Sequence, residues 1–181
     1  SEDSYYNAVS ISYTAKQDKT SYISVTRKQY MQNVYVKYQD ANGIYSGDWA
    51  LIKNQNLYYG ASFEWSYAGS ACYNAASVSK YTVTGAKNHY IYISRKQYSV
   101  SVSAGSGISS VSGGGSYYYG ASCTVDAVVK SDYTWKNWTG TYTSSNKSYT
   151  FLVTGNIALT ANAEANTYYI VFHPNGGSGT M

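Results

Sequence analysis

Two histidines, two cysteines and nine carboxylates are the residues of this chain with the most chemistry to offer, and they are thinly spread. A metal centre needs several Cys, His or carboxylate ligands converging on one point. His89 and His173 stand far apart in the sequence and are expected as surface residues on strands or turns. A cysteine nucleophile needs a histidine and an orienting group beside it, and neither Cys72 nor Cys123 belongs to such a pattern. Asp48, Glu64, Asp126 and Asp132 can be paired on paper as the two carboxylates of a glycosidase. Glu64 and Asp126, however, are expected at corresponding, outward-pointing places of two repeated strands, where solvated side chains are the ordinary occupants. A Lys–Asn isopeptide bond needs a buried lysine, asparagine and acid together, and no lysine falls on an inward phase beside an acid. The expectation is a protein that is not an enzyme and holds no metal or cofactor.

What the chain has in quantity is tyrosine, 24 of 181 residues. Tyr58 and Tyr59 are adjacent, as are Tyr117, Tyr118 and Tyr119. Neighbouring strand residues point to opposite faces, so at least one of each set faces outward. An outward tyrosine combines a broad apolar ring with a hydroxyl, a good contact for a glycan or a protein. The competing use is packing between neighbouring units. Nucleic acid is excluded as a partner, because a net charge of +4 spread over scattered Lys and Arg makes no dense basic face. No apolar run is long enough to cross a membrane as a helix, and no leader or sorting motif is present, so membrane insertion is not expected. The charge-poor mixture of Tyr, Ser, Thr, Asn and Gly fits a secreted or cell-surface protein.

The same composition fixes the class. Tyr, Thr and Val favour pleated, half-buried strands, while Ser, Asn and Gly favour turns. Apolar residues seldom recur at helical spacing, so the fold is expected to be all-β.

The tetrapeptide RKQY occurs at 27–30 and again at 95–98. Around it, Tyr13 aligns with Tyr81, Tyr22 with Tyr90, Ile23 with Ile91 and Arg27 with Arg95, which marks a true repeat. A more diverged copy follows: YYGAS begins at Tyr58 and Tyr118, and VTG begins at Val83 and Val153. Length differences fall between these landmarks, about eight extra residues before the first YYGAS and about ten before the second VTG, as surface connections tolerate. The chain then divides into 1–29 (the end of an upstream unit), 30–97, 98–167 and 168–181 (the start of another). Tyr30, Tyr98 and Tyr168 mark the seams. The basic pair of RKQY is expected to be solvated, with the tyrosine structural. Because the two end pieces together lack the central YYGAS strand, the pattern suits a piece of a longer, elongated array. Strand donation between chains of a fibre is the alternative.

In the second unit, Cys123, Val125, Ala127 and Val129 share one face while Thr124 and Asp126 point away. In the first, Phe63, Trp65 and Tyr67 point inward and Glu64 and Ser66 outward. Tyr133, Trp135 and Trp138 are expected to add core, and Gly155-Asn156 to turn the last two strands into a hairpin. Five or six short antiparallel strands per unit result. Cys123 takes the inward slot of Phe63, whereas Cys72 aligns with Asp132 at a turn, so a Cys72–Cys123 disulfide is not expected.

These residues resemble a known family. The run from YSVSVSA at 98, through YGAS, WTG at 138–140 and VTG, to ALTA at 158–161 is similar to the divergent B-repeats of internalin-type bacterial surface proteins. The terminal YYIVFHPNGGSGTM resembles the opening of a Listeria–Bacteroides-type repeat, on the pattern Asn175-Gly176-Gly177 with Gly179 and Met181. The resemblance implies tandem small β modules, β-grasp-like or β-sandwich, strung along secreted or wall-attached bacterial proteins as stalk or adhesion modules. It supplies no catalytic residues. Partners on this reading are neighbouring repeat units, host or cell-surface glycans or proteins, and other copies of the chain. The alternatives are a fibre subunit and a carbohydrate-binding module using the outward tyrosines.

Overall fold

The computed structural model describes residues 5–9, 20, 22–171 and 176. Among these there are twelve strands and no helix, so the protein is all-β. The chain forms two compact units, 1–96 and 97–181. The first holds β1 (Gln29–Tyr38), β2 (Ala50–Tyr58), β3 (Ser62–Tyr67), β4 (Ala76–Thr82) and β5 (Lys87–Ile93). The second holds β6 (Gln97–Ala104), β7 (Ile108–Ser112), β8 (Gly115–Tyr118), β9 (Ser122–Val129), β10 (Tyr133–Gly140), β11 (Tyr149–Leu152) and β12 (Ile157–Ala165).

Each module is two small sheets around one core. The first has a sheet in the order β2-β1-β5 and a β3-β4 pair. The second has the order β10-β12-β6-β8 and a sheet β11-β9-β7. Alternation decides which side chains meet between the sheets. Val34 and Val36 of β1, Phe63 of β3, Val83 and Ile93 form the first core. Val100, Ile108, Cys123, Val125, Ala127, Trp138, Val153, Ile157, Leu159 and Ala161 form the second. Trp135 and Trp138, an odd and an even position, both reach that core because a bulge between Trp135 and Asn137 resets the phase of β10.

The expected antiparallel pairing holds everywhere except between the first and last strands. β1 runs parallel to β5, with Val34 opposite His89. β6 runs parallel to β12, with Val102 opposite Leu159. These are corresponding residues of the two repeats, so both modules use one register. A parallel pair requires a long crossover, and here the crossover is the rest of the module rather than a helix. The expected hairpin at Gly155-Asn156 does not form: β11 pairs with β9, while β12 pairs with β6 and β10. The chain passes from one sheet to the other at that point instead of folding back. The result is a sandwich-like module with a β-grasp-like parallel pair.

The two repeated motifs hold each other. Gly60 N donates to Val83 O at 2.8 Å and Val83 N to Ala61 O at 2.8 Å. The second module repeats this with Gly120 N to Val153 O at 2.6 Å and Val153 N to Ala121 O at 2.9 Å. Gly60 and Gly120 take φ of 81° and 79°, third in a turn closed by Ala61 N to Tyr58 O and Ala121 N to Tyr118 O. A non-glycine residue is disfavoured there. Val83 and Val153 are both fully buried.

A third set of bonds recurs near residue 7. Asn7 N donates to Thr26 O and Asn7 Nδ2 to Thr26 Oγ1, as Asn74 does to Ser94 O and Oγ, all at 2.8–2.9 Å. Lys28 N to Tyr5 O likewise matches Lys96 N to Cys72 O.

Truncating either buried valine leaves its clasp intact but opens a cavity. Val83→Ala and Val153→Ala should each cost about 2 kcal/mol. Urea unfolding of the chain should show each loss in the transition of its own module.

Candidate functional site

The sequence-predicted tyrosines cluster around the two YYGAS turns, one set per module. Tyr58 is 52% exposed at the end of β2. Tyr59 packs between Tyr5, 4.3 Å away, and Tyr30, 6.5 Å away. Tyr119 sits 6.2 Å from Tyr98, the corresponding pair in the second module. The seam tyrosines Tyr30 and Tyr98 thus rest on the ring of the following turn. Tyr117 turns inward, donates to Gly113 O at 2.9 Å and packs on the core. Tyr118 is half-buried, its backbone opposite Gln97. Tyr168 is 72% exposed and belongs to no strand.

Cys72 and Cys123 are free thiols, the first half-buried in a turn, the second buried with Sγ 3.3 Å from Gly113 O. Asp48, Glu64, Asp126 and Asp132 are exposed. Glu64 and Asp126 both face out, but Phe63 corresponds to Cys123, so Thr124 is the counterpart of Glu64. No group of three His, Cys, Asp or Glu that could hold a metal occurs among the described residues. His173 lies outside them, as does most of the expected C-terminal repeat start.

The basic pair of the second RKQY is not simply solvated. Arg95 Nε donates to Gln39 O at 3.2 Å, Nη2 to Tyr73 OH at 3.1 Å, and the guanidinium lies 5.1 Å over the Tyr73 ring. Its backbone N donates to Gln39 Oε1. Arg95 therefore joins the end of β1 to the turn before β4. The glutamine also has a fixed use: Gln29 Oε1 accepts from Asn56, and Gln97 Oε1 from Ser116, its counterpart.

The first module carries two features absent from the sequence reading. One is a polar triad in its core. Tyr81 OH lies 2.5 Å from Gln32 Oε1 and 2.9 Å from His89 Nε2. Gln32, fully buried, donates through Nε2 to Gly85 O at 2.8 Å. With Gln32 so fixed, Tyr81 gives its one proton to Oε1, and its oxygen accepts from His89 Nε2–H. Phe63 stacks on His89 at 5.5 Å, and Lys87 Nζ lies 4.8 Å over the Tyr81 ring. The repeat and the strand registers put Val100, Phe151 and Leu159 at the corresponding places of the second module. Desolvation, with Lys87 adding to it, holds the His89 imidazole below its ordinary value of 6.5.

The second feature is an aromatic cluster on the outer face of β2-β1-β5. Tyr35 stacks on Tyr90 at 5.2 Å and 15°. Trp49 lies 5.1 Å from Tyr90 and 5.0 Å from Tyr92, and Tyr45 lies 4.8 Å from Tyr92. Lys37 Nζ sits 5.1 Å from the Trp49 ring. Tyr45 and Trp49 come from the stretch inserted before the first YYGAS. An Asp40-capped turn positions that stretch, with Asn42 N and Ile44 N donating to Asp40 Oδ1. The signal was present in alternation: Tyr35 and Lys37, and Tyr90 and Tyr92, occupy the phase opposite to Val34, Val36 and Ile93.

Fold and surface together define a tandem pair of small all-β repeat modules. Residues 98–167, from Tyr98 to Thr167, match the family model of the divergent InlB B-repeat domain. That family is typical of bacterial surface proteins. The match does not extend to residues 168–181. No curated protein and no solved structure matches the chain.

The depressed His89 value makes the first module acid-sensitive. The unfolded chain takes up this proton near pH 6.5 and the folded module only at lower pH, so stability is full above 6.5 and declines as pH falls through the folded value. Urea midpoints at pH 7.5 and 5.5 should show the first module losing stability, and His89→Leu, the second module's choice of residue, should flatten that dependence.

Proposed function

We propose that the chain is a non-enzymatic repeat segment of a bacterial cell-surface or secreted protein, its modules serving as spacers of a stalk and as adhesion surface. The observation that carries this reading is the divergent InlB B-repeat match over 98–167, together with the same strand register in the preceding module. Each module encloses its own core and closes its own YYGAS–VTG clasp, so each is a self-sufficient bead whose stability is local. Repetition of such beads adds reach without requiring chemistry. The carboxylates weighed for catalysis are exposed, and the histidine of the first module is bonded to Tyr81.

Single-molecule stretching of the 181-residue chain tests the bead reading. Two separate unfolding steps are expected, each releasing roughly 200 Å of chain at about 3.4 Å per residue. A single cooperative step would contradict it. Sedimentation should give a monomer independent of concentration; growth into polymers would favour the fibre subunit instead.

A further inference from the structure

We propose that the outer face of the first module's three-stranded sheet is a binding platform for a neutral polysaccharide chain. This deepens the adhesion half of the function proposed above by naming a partner, and its failure would leave the spacer half standing.

The contrast between the two modules carries the inference. Their registers superpose Tyr35 on Ser103, Tyr90 on Thr160 and Tyr92 on Asn162. The second module shows that the fold is satisfied by small polar residues at these places. The first has three aromatic rings there, and its inserted stretch brings two more, Tyr45 and Trp49. Such a cluster can be a satellite core under a loop, but then its rings would be covered. Tyr90 is 54% and Tyr92 58% exposed, so these two rings stay open to solvent, with the half-buried Tyr35, Tyr45 and Trp49 packed beside them.

The polar surroundings select the partner. On the same outer phase, Asn54 and Asn56 of β2 are exposed, and Asn88 of β5 accepts from Asn33 Nδ2 at 2.9 Å. Rings offer flat apolar area to the C–H face of a pyranose, and side-chain amides both donate to and accept from hydroxyls. Charge points the same way. Strands β1, β2 and β5 contain no Asp or Glu, and Lys37, already over Trp49, is the one charged side chain they place on the outer phase beside the rings. A face of amides and rings with a single lysine, itself engaged on a ring, makes no dense basic patch and complements an uncharged chain rather than a polyanion. An extended sugar polymer also suits an open sheet face, whereas a small ligand needs concave burial.

Affinity gel electrophoresis of the full chain provides the test, with hydroxyethylcellulose, laminarin or galactomannan in the gel and heparin as the polyanionic control. Retardation is expected with at least one neutral polymer. In the Tyr90→Thr/Tyr92→Asn variant, built from the second module's own residues, the apparent affinity should fall about tenfold. An unchanged amide NMR spectrum away from the face establishes that the variant is folded; Tyr92→Asn alone serves if the pair perturbs folding. Several results would overturn the proposal: no retardation by any of the three neutral polymers, equal retardation of the folded variant, or retardation by heparin alone. Concentration-dependent self-association of the wild type, abolished in the variant, would assign the face to contacts between copies and also overturn it.

Discussion

The reciprocal pair of backbone hydrogen bonds between the YYGAS turn and the VTG valine is the constraint on which each module rests. It fastens the turn linking β2 to β3, or β8 to β9, to the residue at which the chain leaves β4 or β11 for the last strand. That residue is where the polypeptide crosses from one sheet to the other. Holding it fixes where the last strand starts, and with it the register of the parallel pair. The glycine at positive φ makes the turn tight enough, and the buried valine side chain anchors the crossing in the core. Both motifs survive unchanged in two copies whose other residues have diverged widely.

Within that frame the two cores are filled differently. The second module pairs the small Cys123 with Phe151 where the first pairs Phe63 with Tyr81. Once the hydroxyl of Tyr81 enters, an apolar neighbourhood would leave it unsatisfied, at a cost of about 1–3 kcal/mol. Gln32 and His89 replace aliphatic neighbours and complete a connected network, which is the condition under which buried polar groups are tolerated. The outer faces have diverged as well, toward small polar side chains in one module and exposed rings in the other.

Much of the fold was legible in the sequence because it depends on period-two alternation. The inward phase of β9 and β3, read from Cys123, Val125 and Ala127 and from Phe63, follows from side-chain type alone. So does the repeat, which rests on identical landmarks. Pairing partners were less legible: nothing local to Lys87–Ile93 says whether its neighbour runs parallel, and Gly155-Asn156 looks like a hairpin turn in either case. Arg95 was misread because its anchors, Gln39 and Tyr73, lie far away in sequence. The aromatic face was missed for the same reason. Its rings come from β1, an inserted loop and β5, and they converge only when those strands adjoin.

Nuclear Overhauser contacts in the isotopically labelled chain test the shared register most directly. Cross-strand backbone contacts of parallel type are expected at Val34 with His89 and at Val102 with Leu159, and none of the close antiparallel contacts that a hairpin of residues 149–152 with 157–165 would give. Hairpin contacts there, or a register that differs between the two modules, would contradict the shared register.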